Sequence, residues 1–163
     1  GQSIGLTGAT LGVVTFAFTI SGTISNLFWG AIADRRGFRD TFLMSIALWI
    51  TSTLVLMLAD GYLITVLVFV GVGASVQGFQ NASMNLTLEF GDREDLPVRI
   101  ALANMASEVA GTIGPLLGGL LAAFWHYEAV FIASVAFLAV GGVVVRIYVP
   151  EPRLRGSTKR DRI

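Results

Sequence analysis

The sequence predicts an all-α, polytopic membrane protein with five transmembrane helices, and three observations lead there. Of the 163 residues, 54% are hydrophobic and 13% charged, whereas a water-soluble domain carries about 25% charged residues. Five stretches are long enough and nearly free enough of charge to cross a bilayer. The basic residues lie in alternate connections between those stretches. Composition also excludes much chemistry. The chain has no cysteine, so disulfide frameworks, thiolate metal sites and cysteine nucleophiles are absent from it. Its single histidine, His126, is too few for the usual zinc and triad sites. No metal and no cofactor is expected.

A helix rises ~1.5 Å per residue, so about 20 apolar residues cross a hydrocarbon core of ~30 Å. On that measure the spans run over 8–33, 41–59, 62–88, 98–124 and 129–149, forming a transmembrane bundle over 1–149 with a basic cytoplasmic tail at 150–163. Runs such as Ser45-Ile46-Ala47-Leu48-Trp49-Ile50 lack the strict alternation of a strand. Asp34-Arg35-Arg36-Gly37 separates the first two spans, Asp60-Gly61 the next two, and Asp92 to Pro97 the third from the fourth. Pro97 suits the first turn of a helix, where its missing N–H costs nothing. Pro150 and Pro152 close the fifth span. Connections this short make neighbouring helices antiparallel.

Lysine and arginine stay preferentially on the cytoplasmic side of short loops. The first connection holds Arg35, Arg36 and Arg39, the third Arg93 and Arg99, and the end of the chain Arg146, Arg153, Arg155, Lys159, Arg160 and Arg162, which is all 11 basic residues. The predicted topology starts outside and ends in the cytoplasm, in a plasma (inner) membrane. Attraction to anionic headgroups accounts for the basic tail without nucleic acid. The N-terminus lacks the basic region of a signal peptide. Gly1 is not an initiator methionine, and the number of spans is odd, so the chain reads as part or a processed form of something longer.

Two local patterns carry more. Gly30-Ala31-Ile32-Ala33-Asp34-Arg35-Arg36-Gly37-Phe38-Arg39 sits on a short cytoplasmic turn. Gly30 there lets two helix ends approach, Gly37 supplies a backbone conformation that side chains disfavour, and Asp34 meets the positive end of a neighbouring helix. Arginines around Asp34 can pair with carboxylates elsewhere, so the cluster is expected to latch one conformation; the plainer alternative is an ordinary positive-inside turn. In the fourth span stands Gly114-Pro115-Leu116-Leu117-Gly118-Gly119, within a four-residue recurrence of small side chains at Ala110, Gly114, Gly118 and Ala122. Such a ridge allows close helix packing in lipid. Pro115, among Gly111, Gly114, Gly118 and Gly119, weakens the hydrogen bonding where the helix can bend.

The first pattern resembles the G-x-L-A-D-R-x-G-R-R/K signature of the major facilitator superfamily, which joins the second and third helices and recurs between the eighth and ninth. Gly30, Asp34, Arg35, Gly37 and Arg39 match, Ile32 is a conservative stand-in and Phe38 departs. The second resembles the G-P-x-x-G-G signature on the fifth helix of drug antiporters in that superfamily, with looser versions on the eleventh. The resemblance extends from about Gly5 to Arg153 and implies five of the twelve helices of such a transporter. Helices two to six and eight to twelve share topology, because the halves are repeats. Drug antiporters often carry R-x-x-Q-G on the fourth helix, whereas here Ala74 precedes Gln77-Gly78. That absence, with the basic tail after Pro150-Glu151-Pro152-Arg153, favours the C-terminal half.

Polar groups at membrane depth are the candidate pathway. Gln77, Gln80, Asn81, Met84 and Asn85 recur at helical spacing on the third span and are expected to form one stripe. The fourth span answers with Asn104, Glu108, Thr112 and Pro115. An unpaired buried amide costs about 2–7 kcal/mol, so these groups face protein or water. Gln80 and Glu108 each lie nine residues from the expected cytoplasmic ends, Glu89 and Arg99, about 13 Å inside, so the two polar stripes reach the same depth. Glu108 is the only acidic residue well inside a span, and an intramembrane carboxylate is a functional candidate by default. It either takes up a proton during the cycle or pairs with a cationic substrate; the plainer alternative is a packing partner in helices outside this chain.

The remaining polar and aromatic residues carry less. Thr15, Thr19 and Thr23, beside Asn26, are expected to bond their own helix backbone. Trp29 and Trp125 read as interfacial anchors, and Trp49 as a helix contact. The implied function is secondary active transport of a small solute by alternating access, with proton-coupled efflux first. Its partners would be the solute, a proton, the lipid bilayer and the other helices of the same transporter, with no nucleic acid. No phosphate-binding G-x-x-x-x-G-K-[ST] and no H-E-x-x-H occurs, so the chain does not read as an enzyme. The alternative is a non-transporting membrane subunit or a truncated interaction protein.

Overall fold

A computed structural model describes residues 8–58, 61–89 and 93–149. Within them lie five α-helices, α1 (Gly8–Arg36), α2 (Phe38–Met57), α3 (Tyr62–Glu89), α4 (Leu96–Phe124) and α5 (Tyr127–Tyr148), with a 3₁₀ turn at Arg93–Asp95. All five are long and apolar enough to cross a membrane. The expected tail over 150–163 lies outside the described residues, as do Asp60 and Asp92.

All five helices begin or end further out than charge alone suggested. Helix α1 continues through Asp34, Arg35 and Arg36, and α2 starts at Phe38 rather than residue 41. Backbone hydrogen bonding does not stop where hydrocarbon stops, and charged side chains at a helix end simply reach into the headgroup layer. The α1–α2 turn is therefore a single residue, Gly37, with φ of 89°, a conformation that costs glycine little and other residues much. Its N–H donates to the Ala33 carbonyl at 2.9 Å, and its own carbonyl accepts the Thr41 hydroxyl at 2.8 Å. Pro97 falls within the first turn of α4 as expected.

Helix α3 is the spine of the fold, with α1 packed along it on one side and α2 on another; α5 rests on α2, and α4 meets α3 and α5 only sparsely. Phe42, Ile46, Ala82 and Leu86 form the buried apolar cluster, with Phe79, Leu138 and Val145 packed against it. Lipid tails give apolar helices no reason to leave lipid, so association depends on close backbone contact and interhelical hydrogen bonds. Both occur along α1 and α3. A Cβ at Gly73 would collide with the Phe18 carbonyl oxygen, and one at Gly78 would lie 2.5 Å from Cε2 of Trp29. Trp29 Nε1 donates to the Ala74 carbonyl at 2.7 Å, and Asn81 Nδ2 donates to Asn26 Oδ1 at 2.5 Å.

These contacts correct three expectations. Trp29 is not an interfacial anchor: it is 7% exposed, and the notch at Gly78 receives its ring. Gly30 does not mediate close approach, because a Cβ there would meet nothing within 4 Å; that work falls to Gly22, Gly73 and Gly78. The ridge on α4 has almost no partner among the described residues. Cβ atoms at Gly111, Gly114 and Gly119 would meet nothing within 4 Å, and one at Gly118 only Cγ1 of Val130 at 3.9 Å. Small side chains make a groove, but a groove packs only where a neighbour supplies the bulk to fill it. Neither α4 nor α5 buries a residue.

At one end of the bundle Arg39 Nη2 donates to the Arg146 carbonyl at 2.6 Å. A guanidinium thus meets a last-turn carbonyl of α5, which has no partner within its own helix. The same contact sets the start of α2 beside the end of α5, as five antiparallel crossings require.

Candidate functional site

Gln77, Gln80, Asn81, Met84 and Asn85 lie on one broad face of α3, as their spacing requires. The two edges of that face border different cavities, Gln80 and Met84 on one side and Asn81 and Asn85 on the other.

The first cavity, of 240 Å³, lies among α1, α2 and α3 and is lined by Trp29, Gly30, Asp34, Thr41, Asn81 and Asn85, among others. Asn85 Nδ2 donates to the Asn81 carbonyl at 2.8 Å, and the Asn81 amide is held by Asn26. Gln77 lies deeper along the same seam, its Oε1 3.8 Å from where a Cβ of Gly22 would stand. Asp34 of the turn and the amides of α3 thus share one cavity, a juxtaposition that sequence spacing did not reveal. Arg35 is exposed, Arg36 Nη1 lies 3.9 Å from Sδ of Met44, and Arg39 reaches α5.

The second cavity, of 230 Å³, separates α3 from α4. Phe79, Gln80, Ser83 and Met84 line it from α3, and Asn104 and Ser107 from α4. Glu108 is not among its lining residues. Gln80 shares this cavity with Asn104, one helical turn from Glu108. Glu108 instead borders a separate shallow groove of 320 Å³ with Val109, Thr112 and Ile113. Its side chain is on an exposed face of α4, and its backbone carbonyl accepts the Thr112 hydroxyl at 2.9 Å.

Pro115 lies inside α4, which runs unbroken from Leu96 to Phe124. Lacking an N–H, it leaves the Gly111 carbonyl without its helical donor. Thr19 and Thr23 donate to carbonyls one turn back, at 2.9 and 3.0 Å, as read from sequence. The sequence reading missed Asn26, Ser83 and Ser107. Asn26 stood in a strip read as self-bonded, and the two serines had no distinguishing spacing. Among the described residues no group of three or more His, Asp or Glu is arranged to hold a metal.

Known proteins share this sequence pattern. The chain is similar to Multidrug resistance protein D of Escherichia coli K12, 28% identical over 139 residues that cover 84% of this chain and 35% of that protein. Azole resistance protein 1 of Saccharomyces cerevisiae is 25% identical over 140 residues, 85% of this chain and 22% of that protein. Vacuolar basic amino acid transporter 5 of the same yeast is 24% identical over 139 residues, 84% of this chain and 23% of that protein. The chain spans about a third or less of the length of these relatives. No solved structure matches it significantly. Residues 1–163 as a whole match the Major Facilitator Superfamily; with five membrane-crossing helices, the chain is an integral membrane protein that belongs to that superfamily of transporters.

Proposed function

We propose that the protein to which this chain belongs carries out secondary active transport of a small solute by alternating access, coupled to protons and directed outward. The chain supplies five helices of one six-helix half, helices eight to twelve. Two of the three relatives carry resistance in their names, which supports efflux. In this reading the basic ends face the cytoplasm of a cell bounded by the plasma membrane. Gly30, Asp34, Arg35, Gly37 and Arg39 stabilise one state at that end. Gly111, Gly114, Pro115, Gly118 and Gly119 let α4 bend, and Gln77, Gln80, Asn81, Asn85 and Asn104 line the route with Glu108.

The observation that carries the proposal is the position of Glu108. It lies 12 residues after Leu96 on a helix of 29, about 18 Å from the start of α4 and near its midpoint, on a face that no other described helix covers. A carboxylate at that depth needs water, a proton or a cation beside it. One carboxylate that holds a proton in one state and releases it in another is sufficient to couple a solute to a proton gradient. The test is solute flux by the full-length protein in vesicles with and without an imposed pH gradient. Wild-type flux is expected to follow the gradient, and Glu108→Gln flux to be the same at every pH; a Glu108→Gln protein that still responds to the gradient rules out the proton role.

A further inference from the structure

The cavity between α3 and α4 has a property that neither the groove at Glu108 nor the cavity at Asp34 shares. Apart from Thr87, whose hydroxyl donates to the Ser83 carbonyl at 3.0 Å, its uncharged hydrogen-bonding side chains have unspent capacity. Most hydroxyls elsewhere in the described bundle bond a carbonyl one turn back, as Thr19, Ser45, Thr65 and Ser134 do, which is the usual solution for serine and threonine in an apolar setting. Ser83 and Ser107 do not. Nor do the amides of Gln80 and Asn104 find a side-chain partner among the described residues. Four such groups converge from two helices on one slot of 230 Å³. Gln80, Asn104 and Ser107 are exposed and Ser83 is half-buried, so all four can turn their hydrogen bonds to an occupant of the slot.

The remaining walls limit what can pair with them. Phe79 closes one side, and it is fixed from behind by Phe42 at 5.0 Å and by Trp49, edge-on, at 6.0 Å between ring centroids. A ring held in this way offers a flat, preorganised apolar surface. Met84 adds a flexible thioether that adapts to shape. No charged side chain lines the slot; Glu89 and Arg99, next to lining residues in sequence, are not part of its walls. A charge entering an apolar site without a counter-charge pays a desolvation cost that neutral amides do not repay. The volume is below the ~300 Å³ at which sites for drug-sized ligands begin.

We propose that the α3–α4 slot binds a small uncharged solute, or the uncharged end of a larger one, that presents amide-like donors and acceptors to Gln80, Ser83, Asn104 and Ser107 and a flat face to Phe79. As a cargo subsite it rests on the transport reading above. It separates two tasks: the slot recognises neutral polarity, and Glu108, in its own groove, handles charge.

The chain contains no cysteine, which makes a direct test possible. In the full-length protein, with any cysteines outside this chain replaced, single thiols are introduced as Ser107→Cys, Ser83→Cys and, in the groove of Glu108, Thr112→Cys. Each is labelled with N-ethylmaleimide in lipid nanodiscs, where both membrane faces are accessible. Three near-isosteric probes compete: benzamide, the benzamidinium cation and the benzoate anion. Benzamide is expected to slow labelling several-fold at Ser83→Cys and Ser107→Cys but not at Thr112→Cys, and the two ions to have no effect at either slot position. Adding Asn104→Leu to Ser107→Cys is expected to abolish protection while leaving the unprotected labelling rate unchanged.

The proposal is overturned if benzamide protects neither slot position, if either ion protects as well as benzamide, or if neither thiol in the slot reacts measurably. Vesicle flux separates this outcome from failure of the transport reading. Protection without any solute flux leaves the binding site standing and removes transport; flux without protection removes the site alone.

Discussion

Helices α3 and α4 are nearly equal in length, 28 and 29 residues, and both carry glycines and amides. They nevertheless make opposite use of them. Helix α3 buries Val68, Gly73, Ser75, Gly78, Ala82 and Leu86, and α4 buries nothing. The difference lies in the neighbours. Gly73 and Gly78 face Phe18 and Trp29 on α1, whereas Gly111, Gly114 and Gly119 face open space. Polar groups divide in the same way. Asn81 on the packed side is met by Asn26, while Gln80, Asn104 and Glu108 on the open side meet no side chain that hydrogen-bonds them among the described residues. One side of α3 is scaffold, and the region from its other side across α4 is the proposed place for a solute or proton.

Substitutions across the two regions should differ in size and kind, and equilibrium unfolding of the full-length protein in mixed micelles can rank them. Trp29→Ala removes a filled notch and an interhelical hydrogen bond together, and is expected to cost about 3–5 kcal/mol. Gly73→Ala is expected to cost about 1–3 kcal/mol, because the atom its Cβ strikes is backbone and cannot swing aside. The matched change Gly114→Ala, in open space, should stay within about 0.5 kcal/mol; equal costs at the two glycines would abolish the distinction between scaffold and open face. Arg39→Gln removes the guanidinium at the end of α5, at a cost of about 1 kcal/mol. Glu108→Gln should leave stability within about 0.5 kcal/mol while changing transport, the pattern of a residue that works rather than holds.

The architecture was readable because hydrocarbon thickness and the cost of buried charge act on the sequence directly. The five spans, the glycine turn at Gly37 and the position of Pro97 follow from those constraints. The site was less readable. Which face of α3 is packed depends on where α1 lies, and the sequence of α3 alone holds no record of that; hence one stripe of residues borders two different cavities at its edges. Gly30 fits a motif yet stands in open space, while Gly73 and Gly78 fit no motif and carry the closest approaches. Trp29 illustrates the same limit, since a tryptophan near the end of an apolar run suits both an interface and a notch, and only the glycine opposite decides. Pairing between helices is a property of two sequences at once.

The central claim is that the open face of α4 couples solute to proton through Glu108. Its most direct test is solute-driven proton movement into vesicles containing the full-length protein, read by a pH-sensitive dye trapped in the lumen. Wild type should change lumenal pH when solute is added on one side, and Glu108→Gln should leave the dye silent while still exchanging labelled for unlabelled solute. A lumenal pH change of wild-type size in Glu108→Gln would contradict the account.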